Sequence, residues 1–437
     1  MKSFIIYFLF LFFGFNTVIS KDWLILKKFD DFMFYRIDSY DSLNYILGGR
    51  NSGYLDDGQP FAYSFLSLTS DAGKSWDSIW SSNLDLSKFE GDRHTSHMKM
   101  LSENIIIAGV SGGFILRTTD RGESWDTTDF ELNIEDHCYA LDFYQDKIGV
   151  SGFESSTFFI MTNDSGKTWR KIPKPDIGLD SYKYNIDDLV ILNDSTIIAS
   201  RYRYPTNRHW IFRTEDRGKT WRTYNESGNF HQKFYFYDDR TGYMGGSKRL
   251  YEDGSTVIKK TTDGGKSWLT CYEGNNPNTG GGVHDMHVFD EDKVICVNGY
   301  QILRTTDGGK NWFEETYDES LSSNFQDVAF GDDEYGLIIT KSKYILSNNP
   351  LINDVRYNEK PDSYIKLYPN PATNRIFIMA EPVFNKYKIL NNFGEVVKEG
   401  AGINDWIDVS DLPAGMYVVR LFNNRKKEYR SIKFIKY

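Results

Sequence analysis

The sequence predicts an all-β protein in two parts, and three observations predict it. A ten-residue string, KTTDGGKSWL (Lys260–Leu269), returns almost unchanged as RTTDGGKNWF (Arg304–Phe313), and more loosely four further times. Aromatic residues make up 16% of the 437 residues, with 29 Tyr and 31 Phe, a supply that suits pleated strands better than helices. Residues 363–437 break into six or seven short alternating stretches separated by turn residues.

The first twenty residues read as a signal peptide. Lys2 supplies the positive start, and the apolar run Phe4–Phe15 is too short to span a bilayer comfortably. Val18 and Ser20 are small enough for the −3 and −1 positions, which places cleavage after Ser20. No other long apolar run follows, so no transmembrane segment is expected in the mature chain.

The repeated string has the pattern S/T-x-D-x-G-x-x-W. Its aspartates are Asp71, Asp120, Asp164, Asp216, Asp263 and Asp307, at intervals of 49, 44, 52, 47 and 44 residues. A regular period of this size marks a repeat architecture, and four short strands per unit make a propeller blade. The chemistry inside each copy is that of a turn. The Asp carboxylate and the Ser/Thr hydroxyl can accept hydrogen bonds from nearby backbone N–H groups. The Gly two residues after the Asp can take positive φ, and the Trp can cover the turn with its ring. Six carboxylates spread around a ring cannot converge on one substrate. Each copy also offers one carboxylate, too few for a calcium loop. The six aspartates are therefore expected to be structural.

A seventh unit follows the sixth string. NFQDVAFGDDEYGLIITKSKYILSNN (Asn324–Asn349) carries the strand pattern but stops at Pro350 without a Trp. The missing strand stands at the other end. KDWLILKKF (Lys21–Phe29) reads like the strand that follows a box, with Trp23 in the Trp place. The expectation is seven blades over 21–352, with Asp22–Lys28 pairing beside Lys343–Ser347, so that no strand edge stays open.

Aligning the inner strands by their terminal aromatic or Leu brings Arg36, His97, His137, Asp187, His231, His284 and Gln326 to the channel mouth. This polar ring is the candidate ligand site. His rings on different blades stand too far apart for one ion, so no metal and no cofactor is expected. Cys138, Cys271 and Cys296 are odd in number and widely spaced, which fits buried thiols rather than a disulfide framework or a zinc motif.

Residues 353–362 read as a linker, and 363–437 as a small β-sandwich. Residues 361–437 carry twelve Lys/Arg against eight Asp/Glu, although the whole chain has a formal net charge of −10. An acidic body argues against general nucleic-acid binding, and the basic tail suggests a separate job.

Two resemblances follow from these motifs. The six boxes resemble the Asp-box (BNR) repeat of sialidase-like propellers and of propellers like the photosystem II assembly factor. In those families the box lies on the blade edge, away from the site at the centre. The tail is similar to the type A sorting domain of type IX secretion in Bacteroidota. The residues that carry this are YPNPATN (Tyr368–Asn374), the NNFGEVV hairpin, DLPAGMYVVRL (Asp411–Leu421) and the terminal KFIKY. It implies export by the signal peptide and then by the type IX machinery acting on 363–437, to the cell surface or beyond.

Sialidase chemistry finds weak support in the residues. YRIDS (Tyr35–Ser39) has Asp38 where that family has Pro, and Arg117, Arg213 and Arg304 each precede a box, which places them on outer strands. The expectation is a non-catalytic, exported propeller that binds a protein or glycan. The alternative is a sialidase- or glucanase-like glycoside hydrolase with carboxylates at the propeller mouth.

Overall fold

The computed structural model describes residues 22–349 and 364–436, apart from 55–59, 83–94, 133–135, 154–155, 176–185, 204–207, 227–232, 248–254, 275–281, 319–320, 322–323, 369–371, 373, 382–385, 392–394, 402–405 and 424–427. The expected signal peptide, the linker 353–362 and His231 lie outside the described residues. The chain divides into two units, Met1–Val355 and Arg356–Tyr437.

Every regular element described is a β-strand. The first unit is a ring of seven four-stranded antiparallel blades. Its inner strands are the second half of Leu24–Ser39, then Thr95–Met100, Cys138–Tyr144, Ile186–Ile191, Lys233–Phe236, Val283–Val288 and Phe325–Phe330. Buried apolar side chains from neighbouring blades interlock. Ala140, Val150 and Phe159 of blade three pack with Leu189, Ile197 and Ala199 of blade four, for example. Stacking of this kind buries both faces of each blade, which no single blade could do alone.

The ring closes through its N-terminal strand. Leu24 pairs with Ser347, Ile25 with Leu346, Lys27 with Ile345 and Lys28 with Tyr344, so the first half of Leu24–Ser39 is the outer strand of blade seven. The second half pairs with Tyr45–Tyr54 as the inner strand of blade one. One strand thus serves two blades. Trp23, fully buried, bridges to Tyr317 just before it.

Each box forms the turn between a third and an outer strand, and the first shows its wiring. Thr69 Oγ1 donates to Asp71 Oδ1 at 2.7 Å and accepts the Gly73 N–H at 3.0 Å. Asp71 Oδ1 accepts the Ser75 N–H at 2.8 Å, and Oδ2 accepts the Ser75 hydroxyl at 2.6 Å. Trp76 Nε1 donates back to the Gly73 carbonyl at 3.0 Å. The turn needs two consecutive left-handed residues, not the single one expected. Ala72, Arg121, Ser165 and Arg217 hold φ of 59°, 60°, 58° and 63° directly after their aspartates, and a Gly follows in each case. This pair of conformations aims successive amides at the Thr hydroxyl and the carboxylate.

The boxes also tie blade to blade. The residue before the box Thr lies on the third strand rather than the outer one, and its cation reaches the next blade's box. Arg117 Nε donates to the Ser165 carbonyl at 2.9 Å, Arg213 Nε to Gly264 at 3.1 Å and Lys260 Nζ to Gly308 at 3.3 Å. Blade seven has no box to receive Arg304. Arg304 Nε instead meets Glu315 Oε1 at 2.5 Å.

The second unit is a two-sheet sandwich. One sheet has Tyr364–Tyr368, Arg375–Glu381 and Trp406–Asp408; the other has Val396–Ala401, Lys386–Leu390, Gly415–Asn423 and Glu428–Lys436. Alternation puts Tyr417, Val419 and Leu421 inward, where they meet Phe434, Ile389, Ile376 and Val409.

Candidate functional site

An inner strand pairs on one side only, and its other edge faces the propeller axis. Amides along that edge need partners. Aspartates from the preceding blade supply them. Asp327 Oδ2 accepts the Ile37 N–H at 2.9 Å, Asp38 Oδ2 that of Met100 at 2.7 Å and Asp142 Oδ2 that of Ile191 at 2.9 Å. Asp188 Oδ2 accepts the Phe234 N–H at 2.7 Å, and Asp285 Oδ2 that of Val328 at 3.0 Å. The axis is therefore lined by carboxylates that hold the blades together.

Strand register sorts the axial residues into two tiers. The upper tier is Arg36, His97, Ala140, Asp188, Lys233, Asp285 and Asp327, which pair across to Gly48, Gly109, Gly152, Ser200, Gly245, Val297 and Ile339. Two residues on, along the same face, lie Asp38, Lys99, Asp142, Val190, Tyr235, His287 and Ala329. Lys99 and Asp38 form an ion pair at 3.6 Å with side-chain exposures of 39% and 20%, so water reaches the lower tier.

The seven sequence-derived positions divide unevenly over this frame. Arg36 and His97 stand side by side in the upper tier, with Arg36 Nη2 3.3 Å from His97 Nε2. Asp187, His284 and Gln326 sit one residue earlier, at the bulge where each inner strand shifts register. His137 precedes its strand, and its Nδ1 is 2.8 Å from the Ser111 hydroxyl. His284 nonetheless reaches the next blade, with Nδ1 2.6 Å from the Phe325 carbonyl. Sequence reasoning missed Asp38, Lys99, Asp142, Asp188, Lys233, Tyr235, Asp285 and Asp327. The signal for Asp188, Asp285 and Asp327 is an Asp as the third residue of the inner strand, recurring from blade to blade; Asp38 and Asp142 stand two places further along in register.

Protonation states follow from these contacts. His97 Nδ1 lies 3.0 Å from the Cys138 carbonyl, so it carries the proton, and Nε2 is left to accept from Arg36. Burial, then the charges of Arg36 and Lys233, holds the His97 pKa well below the usual histidine range, so the ring is neutral. Burial pushes Asp327 far up, and the neighbouring Asp285 charge adds to that, so Asp327 keeps a proton and shares it with Asp285. Asp285 Oδ1 also accepts the Tyr235 hydroxyl at 2.7 Å. Burial and that carboxylate push the Tyr235 phenol up, which makes it a hydrogen-bond donor rather than a nucleophile. Burial raises Asp188 to about 6, against the opposing charge of Lys233. Among the described residues no group of three or more His, Cys, Asp or Glu could hold a metal ion.

A closed ring of seven blades with a polar axis, followed by a small sandwich, defines the class: a β-propeller with an appended domain. The appended domain has its own identity. Residues 366–436 match the secretion system C-terminal sorting domain, which makes the chain a type IX cargo bound for the cell surface or the exterior. No curated protein matches the chain by sequence. Solved structures do match by shape. YCF48 bound to D1 peptide superimposes with a TM-score of 0.54 at 17% identity, covering 75% of this chain and 97% of that one. YCF48 from Cyanidioschyzon merolae gives 0.52 at 14% identity, covering 76% and 99%. PorZ, a bacterial surface component of the type IX secretion system of Porphyromonas gingivalis, gives 0.50 at 12% identity. That match covers 92% of this chain and 59% of PorZ. At such identities the likeness is one of fold. No helix among the described residues is long and apolar enough to cross a membrane.

Proposed function

We propose that this exported propeller works by binding a protein or a glycan at the cell surface or outside the cell, through the polar mouth of its axial channel. The observation that carries the reading is the commitment of the axial carboxylates. Asp38, Asp142, Asp188, Asp285 and Asp327 each hold a backbone amide of the next blade. Catalytic carboxylates of a glycoside hydrolase stand roughly 5–10 Å apart with the sugar between them. Asp285 and Asp327 instead bear on each other, the Asp285 charge adding to the burial that raises Asp327, while each also holds a backbone amide. A propeller of the same fold, YCF48, has been solved with a peptide bound, which supports the binding class.

The test is a glycan array and a pull-down with the exported form of the chain, run beside a panel of fluorogenic glycosides. Saturable capture without turnover is the expected result. Turnover that disappears in Asp285→Asn or Asp327→Asn would replace this reading with the hydrolase.

A further inference from the structure

Folding accounts for only half of the residues in the motifs that mark the tail as a sorting domain. The inward residues build the sandwich. Tyr417 of DLPAGMYVVRL stacks on Phe434 of KFIKY at 5.5 Å, and both are buried with Val419 and Ile389. Alternation then turns their neighbours Leu390, Met416, Val418, Lys433 and Ile435 to the outer face of the four-stranded sheet.

Cross-strand register gathers the outward apolar residues into one cluster. Val396 stands opposite Leu390, Leu390 opposite Val418, and Met416 opposite Ile435. Met416 and Val418 are two apart on one strand, so the two rows adjoin. Val396, Met416 and Ile435 are 47%, 56% and 45% exposed, and Leu390 and Val418 are half-buried. Side chains this open add little to the stability of the domain. Single apolar residues on a surface are ordinary, but a contiguous group drawn from every strand of a sheet marks a contact surface.

The rest of the face is basic. Lys386, Lys388, Arg420 and Lys433 lie on it. Among the described residues the opposing carboxylate is Glu399, which pairs with Lys388 at 3.1 Å. Three of the sorting motifs meet here: NNFGEVV through Val396, DLPAGMYVVRL through Met416 and Val418, and KFIKY through Lys433 and Ile435. The sorting-domain match, residues 366–436, spans all four strands of the sheet.

We propose that this outer face, apolar around Val396, Met416 and Ile435 and basic beyond them, is the surface by which the type IX machinery grips the tail. The partner it fits is a protein component of that machinery with an apolar contact area bordered by Asp or Glu side chains. The apolar cluster supplies the hold, and the basic residues steer and orient the tail.

Export of the full chain in a type IX host tests this, read as surface protein against periplasmic protein. Met416→Lys combined with Ile435→Lys puts charge into the cluster at two exposed positions. Surface delivery should fall about tenfold, with folded protein accumulating in the periplasm. Lys433→Glu should lower delivery about threefold. Trp406→Gln is the control. Trp406 is 45% exposed but belongs to the other sheet, beside Arg375, and its replacement should leave delivery unchanged. Thermal melting of the purified variants checks that the tail still folds. If the double variant does not fold, Lys433→Glu, at an exposed position, decides the matter. Parental delivery of the folded variants overturns the proposal, and so does an equal loss in Trp406→Gln. A double variant that changes a self-associated chain into a monomer in sedimentation, yet is still delivered, makes the face a contact between copies and overturns it as well.

Discussion

Trp23 donates its indole Nε1–H to Glu315 Oε2 at 2.6 Å, and the same carboxylate holds Arg304 through Oε1 at 2.5 Å. This three-residue chain seals the ring where the pattern of boxes runs out. Arg304 would reach a box on blade seven if there were one. In its absence Glu315 receives the guanidinium, and Phe289 and Phe330 flank it at 5.5 and 6.0 Å. Trp23 packs edge-on against Phe330 at 5.9 Å. The first described residues and the last blade are thus one packing unit.

Truncating Trp23 should therefore destabilise the whole propeller. Trp23→Ala removes a fully buried indole and is expected to cost about 3–5 kcal/mol in urea unfolding. Glu315→Gln keeps the shape but leaves Arg304 without its counter-charge, at an expected cost of about 1–3 kcal/mol. Deleting 22–28 should shift the entire cooperative transition. A truncated chain that melts at the parent temperature, with only a small early loss of signal, would mean that the seal carries no weight.

Asp263→Ala tests the box. Asp263 Oδ1 accepts the Ser267 N–H at 2.9 Å and the Thr261 hydroxyl at 2.8 Å, and Oδ2 accepts the Ser267 hydroxyl at 2.6 Å. Partial burial works to raise its pKa, but those bonds hold it down to about 2. The carboxyl pKa is depressed in the fold, so its contribution is present above about pH 4 and fades as pH falls toward 2. At neutral pH the substitution should cost about 1–2 kcal/mol and leave ligand capture unchanged. Equal stability with lost capture would make the box a site after all.

Much of this was legible in the sequence because the boxes advertise themselves. Thr, Asp, Gly and Trp each do something local at a fixed offset, so the period and the turns could be read directly. Ring closure was legible for the same reason: Trp23 stands where a box Trp would stand. The axial tier was not. The same inner-strand bulge recurs at Tyr35, Ser96, Asp187, His284 and Gln326, and aligning strands by their ends set Asp187, His284 and Gln326, which sit on it, level with Arg36 and His97, which follow it. A bulge is a backbone event, and residues as different as Ser96, Asp187 and Gln326 accept it, so the residue type gives no warning. The second left-handed residue of the box was hidden likewise, because Ala72, Arg121, Ser165 and Arg217 are not residues that announce positive φ.

Removing 363–437 should stop delivery to the cell surface without unfolding the propeller. The tail has its own core, built around Ile376, Ile389, Val409, Val419 and Phe434, and residues 366–436 match the sorting domain. The truncated chain is expected in the periplasm of a type IX host, with a melting transition like that of the parent. Fusing 363–437 to a neutral reporter behind a signal peptide should carry the reporter out. Surface exposure of the truncated chain would show that the address lies elsewhere.

The last prediction concerns pH and the seam between blades four and five. Asp188 holds the Phe234 amide at 2.7 Å, yet burial raises its pKa to about 6, with Lys233 and the amide opposing the rise. A carboxyl whose folded pKa lies above its unfolded value of 3.8 binds its proton more tightly in the fold. Its contribution is complete below about pH 4 and is lost as pH rises through 6. Unfolding free energy should therefore fall between pH 4 and 6, the opposite direction to the box aspartates, whose loss comes below pH 4. Asp188→Asn isolates the effect. The amide oxygen can still accept the Phe234 N–H, but nothing titrates, so the slope between pH 4 and 6 should flatten. Above pH 7 the variant gains by avoiding a buried charge and loses a partner for Lys233. The two terms oppose, so the slope, not the absolute stability, is the quantity to measure. An unchanged slope in Asp188→Asn would place the titrating group elsewhere on the axis.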